Sequence, residues 1–96
     1  MKRQEIINLL REANNEIALK YKAEIKGIFG SFARGEEGPE SDCDILVEFK
    51  EEANLLHLVG LSMFLEEKIG VPVDVVPVDA IRREIKENIL KEAVYI

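Results

Sequence analysis

The chain has few of the features that mark a secreted or membrane-bound protein. It has one cysteine in 96 residues, Cys43, so it cannot form an internal disulfide, which fits a reducing compartment. No apolar run approaches the roughly 20 residues that a membrane helix needs. The N-terminal sequence MKRQEIINLL also lacks the long apolar core of a signal peptide. These absences predict a cytoplasmic protein without a membrane-spanning segment.

Positive charge is scarce as well. Thirteen lysines and arginines stand against 19 aspartates and glutamates, which gives a formal net charge of -6. An acidic surface repels phosphate backbones and anionic membranes, because both carry the same negative charge as the surface. We therefore do not expect this chain alone to bind nucleic acid stably.

Repeats, low-complexity segments and linkers are absent too. The composition, 47% hydrophobic and 33% charged, is that of an ordinary globular domain. A chain of this length predicts one domain, residues 1–96, with a modest core and one site, which a partner would help to stabilise. The apolar tail AVYI, residues 93–96, fits a short strand or a segment that covers the core, and residues 94–96 also fit a contact in a homo-oligomer.

The spacing of apolar residues predicts helices and strands in the order α-β-α-β-α-β-α, and hence an α/β (or α+β) fold with helices covering a small sheet. The predicted helices cover residues 2–20, one or two turns from Ser31, residues 54–69, and a last segment with Asp79 as its N-cap. The predicted strands cover residues 25–29, 42–49 and 71–78. Gly70 is predicted to end the second long helix in a left-handed conformation. The packing stripe of that helix is expected at Leu55, Leu58, Val59, Ser62 and Leu65, and that of the last helix at Ile81, Ile85 and Ile89.

Two aspartates lie close together in the stretch DCDILVEF. Alternation along a strand places Asp42 and Asp44 on one face and Cys43 on the other, where it would be a small core residue. Carboxylates that share a face repel each other unless a cation lies between them, and oxygen ligands of this kind suit Mg²⁺. A third carboxylate, Asp74, would allow two metal ions to bind. Two plainer roles remain open: Asp42 as a turn cap and Asp74 as an exposed edge-strand residue.

Gly30 and Ser31 stand where a predicted strand meets a short helix. Glycine permits close backbone approach, helix N-terminal N–H groups attract anions, and Ser31 adds a hydroxyl. Arg34, one turn later, carries a guanidinium that could bind the same phosphates. A turn or N-cap role for Ser31, and an exposed ion pair of Arg34 with Glu36 or Glu37, are the alternatives.

The two motifs together, GSFARG at 30–35 and SDCDILV at 41–47, resemble the signature of the DNA polymerase β-like nucleotidyltransferase superfamily, and most closely its minimal nucleotidyltransferases. The resemblance covers nearly the whole chain and implies a small mixed sheet covered by helices. It implies catalytic and metal-binding roles for Asp42, Asp44 and Asp74, with Asp74 helping to deprotonate an acceptor hydroxyl. It further implies that Gly30 and Ser31 hold the triphosphate. The hydrophobic residue usual between the two aspartates is Cys43 here.

The resemblance also implies a biological role. Minimal nucleotidyltransferases are commonly antitoxins paired with a helical HEPN toxin, and some transfer AMP from ATP to a tyrosine of that toxin with Mg²⁺ as cofactor. A second hypothesis is an antitoxin that binds and masks its toxin, with an idle or regulatory nucleotide site. A third is a subunit that adds a nucleotide to RNA or a small molecule when a partner supplies the acceptor site.

Overall fold

The computed structural model describes the whole chain, residues 1–96. The helices are α1 (Arg3–Tyr21), α2 (Gly30–Arg34), α3 (Leu55–Ile69) and α4 (Arg83–Glu92). The strands are β1 (Ala23–Phe29), β2 (Cys43–Phe49), β3 (Val73–Pro77) and β4 (Val94–Tyr95). A single 3₁₀ turn, Val78–Ala80, lies between β3 and α4. No helix is both long and apolar enough to span a membrane.

The four strands form one mixed sheet in the order β3-β2-β1-β4. β1 runs antiparallel to β2 and β4, while β2 and β3 are parallel, as expected when the helix α3 connects them. The predicted fold class is therefore confirmed. Since β3 and β4 lie at the two ends of the order, they are the edge strands of the sheet.

The core lies between one face of the sheet and the helices α1 and α3. α1 contributes Ile6, Leu10 and Ile17, and α3 contributes Leu61, Leu65 and Ile69. From β2, Cys43, Ile45 and Val47 point into this core, so alternation turns Asp44 to the opposite face. A β-bulge between Ile25 and Gly27 shifts the register of β1, which keeps both Ile25 and Ile28 in the core.

The predicted packing stripe of α3 is wrong in part. Val59 and Leu55 are exposed, whereas Leu61 and Ile69, which the prediction omitted, are buried. The helix is apolar on most of its circumference, so the spacing of its hydrophobic residues does not single out one face. Its ends agree with the prediction: Asn54 caps the first turn by accepting from the Leu56 backbone N–H, and Gly70 closes the last turn with φ 85°.

The predicted start of the last helix is also wrong. Asp79 lies inside the 3₁₀ turn, and its side chain makes no capping hydrogen bond. Ile81 and Arg82 are extended, so α4 begins only at Arg83 and Ile81 lies outside it. The apolar tail forms the short strand β4 against β1, where Gly27 is required because a Cβ there would overlap the Val94 carbonyl oxygen.

Candidate active site

Asp44 and Asp74 face each other across two neighbouring strands. They are register partners in the parallel pair β2–β3, so their side chains leave the same face of the sheet. Neighbouring strands lie about 4.8 Å apart, which brings the two carboxylates close together. Asp42 lies just before β2, two residues from Asp44, and its negative charge acts on the Asp44 carboxylate. Asp44 and Asp74 are thus neighbours in the sheet, and Asp42 lies within electrostatic reach of Asp44.

The three carboxylates differ in their exposure. Asp42 and Asp74 are exposed, whereas Asp44 is half-buried. Burial raises the pKa of Asp44 to about 6, and the negative charges of Asp74 and Asp42 act in the same direction. The positive charge of Arg34 partly opposes this rise in pKa. The site thus holds concentrated negative charge, which a bound cation would relieve.

Gly30 fits directly against Asp44. It has φ 74°, a left-handed conformation that glycine adopts without strain, and it begins α2 immediately after the extended residue Phe29. A Cβ at this position would overlap the Asp44 carboxylate. The backbone at the start of α2, followed by Ser31, therefore lies beside the central carboxylate. The spacing of residues in the sequence alone does not predict this contact.

Arg34 takes part in an ion pair on the surface. Its Nε donates to Glu36 Oε1 at 2.7 Å, and its Nη1 lies 3.9 Å from Glu92 Oε2. This is the ion-pair alternative that the sequence left open. Exposed pairs of this kind contribute only about 0–1 kcal/mol to stability, so the guanidinium can exchange Glu36 for a stronger anion. The positive charge of Arg34 also acts on Asp44, where it opposes the rise in pKa.

The chemistry of the carboxylates suits a hard cation, but they do not form a closed cage. No three acidic, histidine or cysteine side chains of the chain converge tightly enough to enclose a metal ion by themselves. This openness fits Mg²⁺, which is held by one or two carboxylates and takes its other ligands from water and substrate phosphates. The residues present therefore fit a metal that binds together with a nucleotide.

A groove beside Asp74 was not predicted from the sequence. It has a volume of about 300 Å³ and lies between α3 and β3. Its other lining residues are Leu58, Val59, Ser62, Met63, Val73 and Val75. We call it the Asp74 groove. Spacing places Leu58 and Val59 on the expected stripe of α3, but α3 carries more apolar residues than one packing face needs, which is the signal for such a groove.

Comparison with known proteins agrees with this geometry. The family model described as nucleotidyltransferase domain matches residues 7–96, which include all six candidate site residues. This chain belongs to the nucleotidyltransferase family. It is therefore an enzyme, and the similarity predicted from the two motifs is confirmed.

Cys43, between the two aspartates, is fully buried and faces away from them, as alternation predicted.

Relatives within the family are similar over almost their entire length. A protein of Methanocaldococcus jannaschii, assigned as a protein adenylyltransferase, is 46% identical over 88 residues, which are 92% of this chain and 95% of that protein. The protein adenylyltransferase MntA of Thermococcus cleftensis is 36% identical over 93 residues, covering 97% of this chain and 94% of the relative. The nucleotidyltransferase resemblance therefore does not depend on the two motifs alone.

Solved structures share the fold. A structure assigned to the minimal nucleotidyltransferases matches with a TM-score of 0.83 and 35% identity, covering 100% of this chain and 97% of that one. A toxin-antitoxin complex with AMP-PNP matches with a TM-score of 0.70 at 21% identity, over 99% of this chain and 72% of that chain. An MNT antitoxin in complex with a tri-AMPylated HEPN toxin of Shewanella oneidensis matches at 0.63 and 16%, over 92% and 69%. The last two show similarity of fold only.

Proposed function

We propose that this nucleotidyltransferase transfers AMP from ATP to a tyrosine hydroxyl of a helical HEPN toxin, and so acts as an antitoxin. The observation that carries the proposal is the register pairing of Asp44 with Asp74, with the backbone of Gly30 packed against Asp44. The backbone at the start of α2 thus lies beside a pair of carboxylates, which supports a site that binds phosphate and a cation together. A nucleoside triphosphate needs both, because its phosphates must be held while its α-phosphorus is attacked.

The transfer step can be assigned to residues of this chain. The acceptor oxygen attacks the α-phosphorus of ATP, the bond from that phosphorus to the bridging oxygen of pyrophosphate breaks, and the hydroxyl proton passes to the Asp74 carboxylate. Asp74 suits this role because it is exposed at the sheet edge, where an acceptor can approach. Gly30 and Ser31 hold the triphosphate, and Arg34 neutralises part of its charge.

Asp42 and Asp44 would hold Mg²⁺ with the triphosphate, and Asp74 would complete the metal site. When bound, the metal supplies positive charge that offsets the negative charge of the carboxylates and of the leaving pyrophosphate. The raised pKa of Asp44 supports this assignment, because a half-buried carboxylate next to two others needs a cation to remain ionised at low cost.

The choice of acceptor is supported by the relatives. Proteins that share at least a third of their residues with this chain carry the name protein adenylyltransferase. The acidic surface of the chain, with a net charge of -6, disfavours a nucleic-acid acceptor, because phosphate backbones would be repelled. A second protein that presents its own tyrosine fits this property.

The test is to co-purify the chain with the helical protein encoded beside its gene and to add ATP and Mg²⁺. Intact mass should show the gain of one or more AMP units on the partner. The double variant Asp42→Asn, Asp44→Asn should form the same complex without the mass gain. Asp79→Asn, an exposed aspartate on the 3₁₀ turn, is the control and should retain transfer. Transfer by the double variant at the normal rate would refute the assignment.

Neutralisation by binding is the second candidate function. It is favoured by the exposed apolar residues of α3, which are suited to cover a surface of another protein. In this case toxin activity would stay blocked without ATP, and the double aspartate variant would neutralise the toxin as well as the unmodified chain. A block that requires both ATP and the aspartates would instead favour AMP transfer.

A further inference from the structure

α3 carries a stripe of apolar side chains that is exposed to solvent, in contrast to the buried side chains of the core. Its members are Leu55, Leu56, Val59 and Met63, and their exposed fractions are 70%, 80%, 47% and 65%. They recur at three- and four-residue spacing, so they form one continuous surface, which we call the α3 stripe. Large side chains that remain this exposed and contiguous mark a surface that another molecule covers.

The α3 stripe continues into the Asp74 groove. Val59 and Met63 belong to both, and the opposite wall of the groove is formed by Val73 and Val75 of β3. Asp74 points to the other face of the sheet, yet it lines the same groove because β3 is an edge strand with no neighbour on its outer side. The groove therefore leads along the free edge of β3 from the apolar stripe to the candidate catalytic carboxylates.

We propose that the α3 stripe docks the acceptor protein and that the Asp74 groove receives its tyrosine side chain. This inference rests on the proposed AMP transfer. A tyrosine has an apolar ring and a polar tip, so its ring can pack between Val59 and Val75 while its hydroxyl reaches Asp74. Serine or threonine would leave most of the apolar lining in contact with water, because neither carries a ring to fill the groove.

The charges around the α3 stripe indicate what surrounds the tyrosine on the partner. Glu51 and Glu52 precede the helix and Glu67 follows Met63 by one turn; all three are exposed, whereas the Glu66 carboxylate accepts from the Val73 backbone N–H. The stripe is thus apolar in the middle and acidic at both ends. The complementary surface is an apolar patch around the tyrosine with lysine or arginine at its rim.

The docking role is tested by placing a charge on the stripe. Val59→Glu and Met63→Glu should weaken binding of the helical protein encoded beside the gene by about tenfold or more, because a carboxylate would be buried in an apolar contact. Leu19→Glu is the matched control: Leu19 is 76% exposed on α1, outside both the stripe and the groove, and its replacement should leave the affinity unchanged. Calorimetry should show ATP binding with Mg²⁺ within about twofold of the unmodified chain for all three variants.

The tyrosine-binding role is tested by filling the groove. Ser62 is half-buried in its wall, so Ser62→Phe should occupy the space and reduce AMP transfer by about tenfold or more, with ATP binding retained. Leu19→Phe is the matched control: it adds a ring at an exposed position of α1 outside the groove and should transfer AMP normally. Transfer by Ser62→Phe at the normal rate would show that the acceptor side chain lies elsewhere.

The outcomes separate this inference from the proposed function. Normal partner affinity and normal transfer in Met63→Glu would overturn the docking surface and leave the proposed function intact. If the unmodified chain binds the partner but transfers no AMP, the proposed function fails, while the affinities still decide the docking surface. Native mass spectrometry tests whether a second copy of this chain, and not the acceptor protein, occupies the α3 stripe. If Met63→Glu dissociates a dimer of this chain and leaves the affinity for the partner unchanged, the inference is overturned.

Discussion

Asp44 on β2 and Asp74 on β3 are direct register partners in a parallel strand pair. The pairing forces two carboxylates onto the same face of the sheet. Burial of Asp44, together with repulsion from Asp74 and Asp42, raises the pKa of Asp44 to about 6 and makes its ionised form unfavourable in the metal-free protein. These carboxylates lie beside Gly30, a position where a side chain would overlap Asp44. The combination is consistent with a site that binds a cation and a phosphate.

Asp44→Asn is expected to reduce AMP transfer by roughly a thousandfold, because it removes the central carboxylate that would hold the metal ion, whose positive charge neutralises the reacting phosphates. The measurement is the rate of mass gain on the acceptor under ATP and Mg²⁺. Circular dichroism should show an unchanged fold, since an asparagine occupies nearly the same volume. A variant that retains a tenth or more of the rate would contradict the central role of Asp44.

The stability of the metal-free protein is expected to depend on the protonation of Asp44. Because the folded-state pKa, about 6, lies above the ordinary value of 3.8, folding favours the protonated form. The protein should therefore lose stability as the pH rises from about 4 to about 6, and this loss should be complete above that range. Since Asp44 is only half-buried, solvent screens its charge, and the expected loss in the free energy of unfolding is on the order of 1 kcal/mol.

Urea unfolding with a chelator, at pH values from 3.5 to 7.5, measures this effect against Asp44→Asn. The variant should be the more stable protein at pH 7.5 and equal to the unmodified chain near pH 3.5. Mg²⁺ should stabilise the unmodified chain more than the variant, because only the former has the full set of carboxylates. A difference that grows toward low pH would have the wrong sign for a raised pKa.

Gly30→Ala is expected to impair both stability and AMP transfer. The new Cβ would overlap the Asp44 carboxylate in addition to straining a backbone with φ 74°. Gly35→Ala is the matched control, because Gly35 has φ 72° but open space around its Cβ position. The control should lose about 1 kcal/mol through strain alone and keep its activity, whereas Gly30→Ala should lose about 2–3 kcal/mol and most of its transfer rate. Equal effects would exclude the overlap with Asp44 as a cause.

Arg34→Gln is expected to raise the KM for ATP by about tenfold with a smaller change in kcat, because a charge that holds the triphosphate is lost. It should also raise the pKa of Asp44 further, since Arg34 lowers it. Glu36→Gln provides the comparison: it releases Arg34 from its 2.7 Å ion pair without removing the guanidinium. If both variants raised the KM equally, the ion pair between Arg34 and Glu36 would be what supports ATP binding, and direct binding of the triphosphate by Arg34 would be contradicted.

The Cys43 thiol is expected to be inert in the folded protein. Burial raises its pKa to about 12, and the charge of Asp44 acts in the same direction. Labelling with a maleimide at pH 8 should therefore be limited by unfolding, and its rate should rise with urea in parallel with the unfolded fraction. Rapid labelling of the folded chain would mean that Cys43 is accessible, contrary to its position in the core.

Local patterns in the sequence contain much of this fold. The Gly70 helix end, the short helix after β1 and the alternation in DCDILVEF each depend on neighbouring residues only, and each appears in the structure. The packing face of α3 and the start of α4 were predicted incorrectly. An almost uniformly apolar helix has no single face in its sequence, and the 3₁₀ turn after Pro77 delays α4 beyond Asp79.

The sequence by itself singled out the residues to which we assign the chemistry as a proposal: the aspartates at alternate positions, the Gly-Ser junction and the later strand aspartate. Only the tertiary structure decided that Asp74 pairs in register with Asp44, that Gly30 packs against Asp44, and that Val59 and Met63 remain exposed beside them. The reason is physical. Strand periodicity acts between neighbours in the chain, whereas strand register and the buried face of a helix depend on how distant segments share one core.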